Sequence, residues 1–94
     1  MYIPKPIDTT DVILSEEVLE LLETLAVQVH ETWSSERLAE GWVYGEKRDD
    51  EKKQTPCLVS YDELPEIEKE YDRNTVLATL KLITKLGYDI RKSK

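Results

Sequence analysis

The sequence predicts a mainly helical α+β domain, built from two main amphipathic helices, one short helix and a few minimal strands. Three observations carry this. Val18, Leu22, Leu25, Val29 and Trp33 recur at steps of four, three, four and four, which sets them on one helix face. Val76, Leu80 and Ile83 repeat that spacing late in the chain. Between them, Gly41-Trp42-Val43-Tyr44-Gly45 is a short aromatic and β-branched run held between two glycines, as a minimal strand requires.

In chain order, residues 2–8 contain Pro4 and Pro6 and read as an extended, polyproline-like lead-in. Asp11-Val12-Ile13-Leu14 is a brief strand or a strap across the core. Ser15 is a suitable N-cap, followed by Glu16 and Glu17 where the helix dipole favours acids. The first helix is expected from 16 to about 40, with Ser34-Ser35 as an alternative internal cap and Gly41 at the C′ position. Such a helix spans roughly 36 Å at ~1.5 Å per residue, long for a domain of 94 residues.

Residues 46–56 form one polar loop, in which eight of eleven residues are charged. Arg48 and one of Asp49 and Asp50 are expected to turn back and fix it, leaving Lys52 and Lys53 in solvent. Cys57-Leu58-Val59 is a second brief extended run. Asp62 is placed to cap a short acidic helix with Pro65 early and Tyr71 near its end, its acids forming a solvated face. Asn74 then caps the second main helix, Gly87 ends it, and Tyr88-Asp89-Ile90 returns as a short strand. The chain reads as one domain, 1–94, with a core over about 2–90 and a frayed tail at 91–94. Val18, Leu22, Leu25, Val29, Leu80 and Ile83 are expected to be buried together.

Composition narrows the function. The chain is 39% hydrophobic and 35% charged with a formal net charge of −7, which fits a globular domain and argues against nucleic acid as partner. Two Trp and five Tyr with no Phe mean that every large aromatic carries a polar handle. The lone Cys57 excludes an internal disulfide and suits a reducing compartment. No apolar run is long enough for a membrane span, and the cytoplasm is the expected location.

Chemistry-bearing patterns are few. No metal site is expected, because His30 and Glu31 point to different helix faces and lysines and Arg48 crowd Asp49-Asp50-Glu51. No catalytic residue is expected either. Cys57 in Pro56-Cys57-Leu58-Val59 reads as a buried structural thiol, not a nucleophile paired with His30. One face is different. His30, Trp33 and Arg37 stand at i, i+3 and i+7, and Trp42, Tyr44 and Arg48 follow beyond the helix end. Rings beside guanidinium groups make a slot for a flat anionic ligand, the rings stacking on it and the arginines meeting its phosphate. The alternative is structural, with Trp33 in the core and Arg37 paired to Asp49 or Asp50.

These phrases resemble the ryanodine-receptor repeat (RyR domain) family. The resemblance lies in Pro4-Lys5-Pro6-Ile7-Asp8-Thr9-Thr10, in His30-Glu31-x-Trp33 with Arg37-Leu38, and above all in the middle of the chain. There Gly41-Trp42-x-Tyr44-Gly45, Arg48-Asp49-Asp50 and Pro56-Cys57-Leu58-Val59 follow in order. Leu64-Pro65-Glu66, Tyr71-Asp72-Arg73 and Leu86-Gly87-Tyr88 extend it, so that it covers residues 2 to about 90. It implies a helical pair with small strands and a binding or regulatory role without enzymatic activity; no cofactor is expected. In the giant calcium-release channels such repeats occur in tandem pairs, associated with adenine-nucleotide or drug-like ligands in an aromatic cleft; short stand-alone prokaryotic members also exist. By position, the Trp33 helix would line such a cleft. One repeat where the channels use two implies a homodimer. A protein partner on the acidic helices is the other reading. The chain departs from the family pattern at Val27-Gln28-Val29, more apolar than usual, and at Thr55, where a His is common.

Overall fold

The computed structural model describes residues 1–93; the last residue of the expected frayed tail, Lys94, lies outside the described residues. The architecture is α+β and mainly helical. Its elements are α1 (Glu16–Leu19), α2 (Leu22–Ala39), β1 (Val43–Tyr44), β2 (Gln54–Thr55), a 3₁₀ turn (Tyr61–Glu63) and α3 (Glu66–Lys85).

Ser15 caps α1 as its sequence position suggests. Its backbone is extended and its Oγ accepts from the Val18 N–H at 3.2 Å. The first helix does not run unbroken to residue 40, however. It stops after one turn, and the Leu21 N–H bonds the Val18 carbonyl at 3.0 Å in a tightened turn before α2 begins. Both helices contribute to one core cluster, and α2 also borders a second. Val18 packs with Leu14, Val76 and Leu80, with Leu22, Leu25 and Val29 half-buried against them. Ala26 is buried instead beside Tyr61 and Leu64.

The C-terminal helical region also differs from its expectation. There is one continuous 20-residue helix, not a short acidic helix followed by a second one capped at Asn74. Pro65 occupies the N-cap position, and Asn74 lies inside α3. Arg73 explains the continuity. It pairs with Glu66 and Glu70 along its own helix and reaches across to Glu23 on α2. Helix α3 is thus held to its neighbour on both sides of Asn74, by Arg73 before it and buried Val76 and Leu80 after it. Ile83 was expected in the core but is 36% exposed, one turn past the buried stripe.

Both long helices end on a left-handed glycine. Gly41 has φ +93° and Gly87 φ +98°. After α2, the Gly41 N–H bonds the Leu38 carbonyl at 3.1 Å and the Trp42 N–H bonds the Arg37 carbonyl at 3.0 Å. After α3, Gly87 and Tyr88 make the same pair of bonds to Thr84 and Ile83.

The two strands pair in parallel, Val43 opposite Gln54 and Tyr44 opposite Thr55. Within the charged loop, Asp49 and Gln54 exchange two backbone hydrogen bonds of 2.9 Å. Asp49 Oδ1 accepts from the Lys52 N–H at 3.1 Å, so Asp49 shapes the turn. Arg48 does not anchor the loop to the domain by a hydrogen bond; it donates to Asp50 at 2.8 Å, both side chains in solvent. Lys53 is not free either: its Nζ donates to the Glu40 carbonyl at 2.8 Å, tying the loop to the end of α2. Gly45 allows the approach of the strands, since a Cβ there would lie 2.7 Å from Gln54 Cβ. Residues 11–14, 57–59 and 88–90 form no strand; the first of these is a strap that buries Leu14.

Candidate functional site

The double turn after α2 positions the aromatic face. Because the Trp42 N–H is bound to the Arg37 carbonyl, the Trp42 ring returns beside the last turn of the helix. Arg37 Cζ then lies 5.7 Å from the Trp33 ring centre and 5.4 Å from that of Trp42. Arg48 Cζ lies 5.6 Å from the Trp42 ring. The result is a ladder of Trp33, Arg37, Trp42 and Arg48 in which cations and rings alternate, each contact contributing ~0.5–1 kcal/mol where exposed. Arg37 pairs with Glu40 at 3.0 Å and not with Asp49 or Asp50. Tyr44 is exposed on β1 and stands outside the ladder.

His30 is buried, and its Nε2 lies 2.7 Å from the Val59 carbonyl oxygen. A carbonyl only accepts, so Nε2 carries the hydrogen and donates. The imidazole stacks on Trp33 with 5.7 Å between ring centres and an interplanar angle of 24°. Trp33 is therefore half-buried structure on one side and ladder on the other, which joins the two alternatives read from its spacing.

Next to this stack is a cleft of about 410 Å³ between α2, the turn after β2, and α3. Its principal walls are His30, Trp33, Arg48, Cys57, Glu68 and Asp72. Buried Thr55 places the cysteine: its Oγ1 accepts from the Cys57 N–H at 3.2 Å, folding the Pro56-Cys57 turn toward the cleft. Cys57 is half-buried, less enclosed than expected. Burial pushes its thiol above the usual range, with Glu68 adding to the effect, so it is a neutral thiol and a poor nucleophile at neutral pH. Burial also lifts the Asp72 carboxyl, against the opposing pull of His30. Among the described residues the Asp72 carboxylate has no hydrogen-bond partner.

The cleft thus unites His30, Trp33 and Arg48 as read from sequence, while Arg37 and Trp42 do not line it and join it only through their contacts with Trp33 and Arg48. Glu68 and Asp72 were not foreseen, because both belong to an acidic stretch that reads as a solvated helix face. Their spacing of four places them on one side of α3, which was the available signal. Trp33 also borders a second cavity, an apolar groove of about 510 Å³ between α2 and α3, floored by Leu25, Val29, Val76 and Leu80. Among the described residues, no three His, Cys, Asp or Glu side chains converge to hold a metal ion. No helix among them is long and apolar enough to cross a membrane.

The RyR domain family model matches residues 2–92, and the chain belongs to that family. The family is one of non-catalytic repeats with binding or regulatory roles in general.

Proposed function

We propose that this RyR domain is a ligand-binding module whose cleft takes a small planar molecule carrying an anionic group, with adenine nucleotides as the first class to test. The observation that carries the reading is the alternation of Trp33, Arg37, Trp42 and Arg48, a ladder whose Trp33 and Arg48 line the cleft. Guanidinium groups resting on rings keep their outward N–H donors available for a phosphate or carboxylate. The opposite wall is complementary to the other end of such a molecule. Glu68 and Asp72 are acceptors, suited to the amino edge of a heteroaromatic ring. Each arginine already holds a neighbouring carboxylate, Glu40 or Asp50, so an incoming anion competes for it. Affinities in the micromolar to millimolar range fit a regulatory module that senses abundant metabolites.

Titration calorimetry and thermal shift with adenine nucleotides test this. The midpoint is expected to rise with ligand concentration, since a ligand that binds only the folded state stabilises it by mass action. Arg37→Ala should abolish most of that rise while leaving the fold intact. No heat and no shift at millimolar nucleotide would sink the reading.

A second reading has its own support. On α3, Ile67 and Tyr71 are exposed and flanked by Glu63, Glu66 and Glu70. An apolar pair within an acidic surface suits a basic amphipathic partner. A basic peptide that binds equally well to the Arg37→Ala protein would favour it.

A further inference from the structure

We infer that the N-terminal segment, residues 2–7, docks into the α2–α3 groove of a second copy of the chain, so that two domains exchange arms. Residues 1–8 are exposed throughout, Ile3 at 68% and Ile7 at 58%, and among the described residues they belong to neither core cluster. The radius of gyration, 16.1 Å, exceeds the ~12 Å expected for a compact chain of this length. The groove is the counterpart of this projecting arm, an apolar channel of about 510 Å³ that no element of its own domain fills.

Length and shape agree. Pro4 and Pro6 restrict the arm to extended conformations and remove two of its backbone donors. It therefore binds through side chains rather than by adding a strand. In a polyproline-like extended arm Ile3 and Ile7 are separated by roughly 12 Å at ~3.1 Å per residue. The groove wall from Leu25 to Trp33 covers eight helical steps, about 12 Å at ~1.5 Å per residue. The two isoleucines thus match the two ends of the apolar wall.

Charge agrees as well. Two copies of a −7 chain repel each other as wholes. The arm between residues 2 and 7 is the exception, since Lys5 is its only charged side chain. Glu36 lines the groove beyond Trp33 and, like Lys5, has no ion-pair partner among the described residues. An exchange of arms is reciprocal under two-fold symmetry, so each docking contact is made twice. Trp33 forms the wall between groove and cleft. A seated arm therefore packs against the back of the ring whose front borders the candidate ligand cleft.

Sedimentation equilibrium of the full chain tests the inference, with Ile3→Asp/Ile7→Asp as the probe. Neither residue belongs to a core cluster, so the far-ultraviolet circular dichroism should be unchanged. The native chain should dimerise at micromolar concentration, and the double variant should dissociate about 100-fold more readily, as loss of two anchors implies. A native chain that stays monomeric at high micromolar concentration, or a double variant that dimerises as tightly as native, overturns it. A cysteine pair separates exchange from folding back of the arm. In a Cys57→Ser background, Ile7→Cys with Thr32→Cys should oxidise to a covalent dimer. An internally bridged monomer, or no bridge at all, overturns the exchange.

Discussion

His30 Nε2 donates to the carbonyl oxygen of Val59 across 2.7 Å, joining the middle of α2 to the segment that leads into α3. The two residues are 29 positions apart, and the bond is part-buried, with His30 only 4% exposed. It fixes the imidazole plane on which Trp33 stacks. His30→Ala leaves the Val59 carbonyl without this donor and opens a void beside Tyr61. The expected loss is about 2–4 kcal/mol, the sum of an unmade buried hydrogen bond and a cavity. Urea denaturation monitored by tryptophan fluorescence measures it. A loss below about 0.5 kcal/mol would show that the ring is dispensable to the fold.

The phase of α3 is tested by two residues three positions apart. Leu80 is buried in the cluster with Leu14, Val18 and Val76, whereas Ile83 lies at the surface. Leu80→Ala should cost on the order of 2–5 kcal/mol and Ile83→Ala less than about 1 kcal/mol. Equal losses at the two positions, read from chemical denaturation midpoints, would refute this packing.

The same pair shows what was legible in the sequence. Helical spacing identified Val76 and Leu80 because apolar residues on a buried face repeat every three or four positions. It continued the stripe to Ile83 because periodicity alone does not show where the partner helix ends. The first half of α3 was hidden for a different reason. Its inward positions are Glu68, Asp72 and Arg73, polar groups whose roles depend on Glu23, His30 and the cleft. Asn74 is a good cap by type, but it lies within a helix that Arg73 braces through Glu66 and Glu70 on the same helix and Glu23 on α2. The break at Glu20-Leu21 has no glycine or proline to announce it. By contrast, the cap at Ser15 and the turn at Gly41 are local events within six residues, and both were readable. The His30, Trp33 and Arg37 face was readable for the same reason, since one helix carries all three. The cleft's second wall comes from another helix, and no spacing rule connects the two.

Gly41 carries the turn that brings Trp42 back to Arg37. Its φ of +93° is disfavoured for any residue with a Cβ, although a Cβ there would meet nothing within 4 Å. Gly41→Ala therefore isolates backbone strain, expected to cost about 1–2 kcal/mol. A thermal midpoint unchanged from native would mean that this turn relaxes to another conformation at little cost. Trp42 emission should then shift, because its ring would leave the arginines.

Glu23 predicts an acid-dependent loss of stability. Its carboxyl is held below the usual value of 4.5 by hydrogen bonding to Arg73, with burial opposing and the Tyr61 hydroxyl assisting. A depressed folded-state value means the pairing stabilises fully above the unfolded value and is lost as pH falls through the folded one. Glu23→Gln should therefore flatten the decline in stability below about pH 4.5. Because Glu23 is exposed, the change at neutral pH should be modest. Denaturation midpoints of both proteins measured from pH 3 to pH 7 check this. Parallel curves would remove Glu23 from the acid response.

The two walls of the cleft predict opposite responses to substitution. If an anion meets Arg37 beside the cleft, Arg37→Ala should weaken nucleotide binding by about 1.5–3 kcal/mol, the range for hydrogen bonds to charged groups. The deficit should shrink as salt rises, because the lost contact is screened in the native protein. Asp72 acts on the other end of the ligand. Its carboxyl is raised by burial, so the folded state disfavours its ionised form, and that penalty grows as pH rises through the carboxylate range. Asp72→Asn removes the penalty and should make the apoprotein equally or more stable at neutral pH. It also turns one of the two acceptor oxygens into a donor and removes the charge that strengthens a bond from an exocyclic amino group. Adenosine monophosphate, which has that amino group, should lose affinity in Asp72→Asn. Inosine monophosphate, with a carbonyl in its place, should gain or hold it. Calorimetric titrations of the two nucleotides against both proteins decide the matter. A parallel change for the two ligands would place the base away from Asp72, and loss of binding for neither would place it outside the cleft.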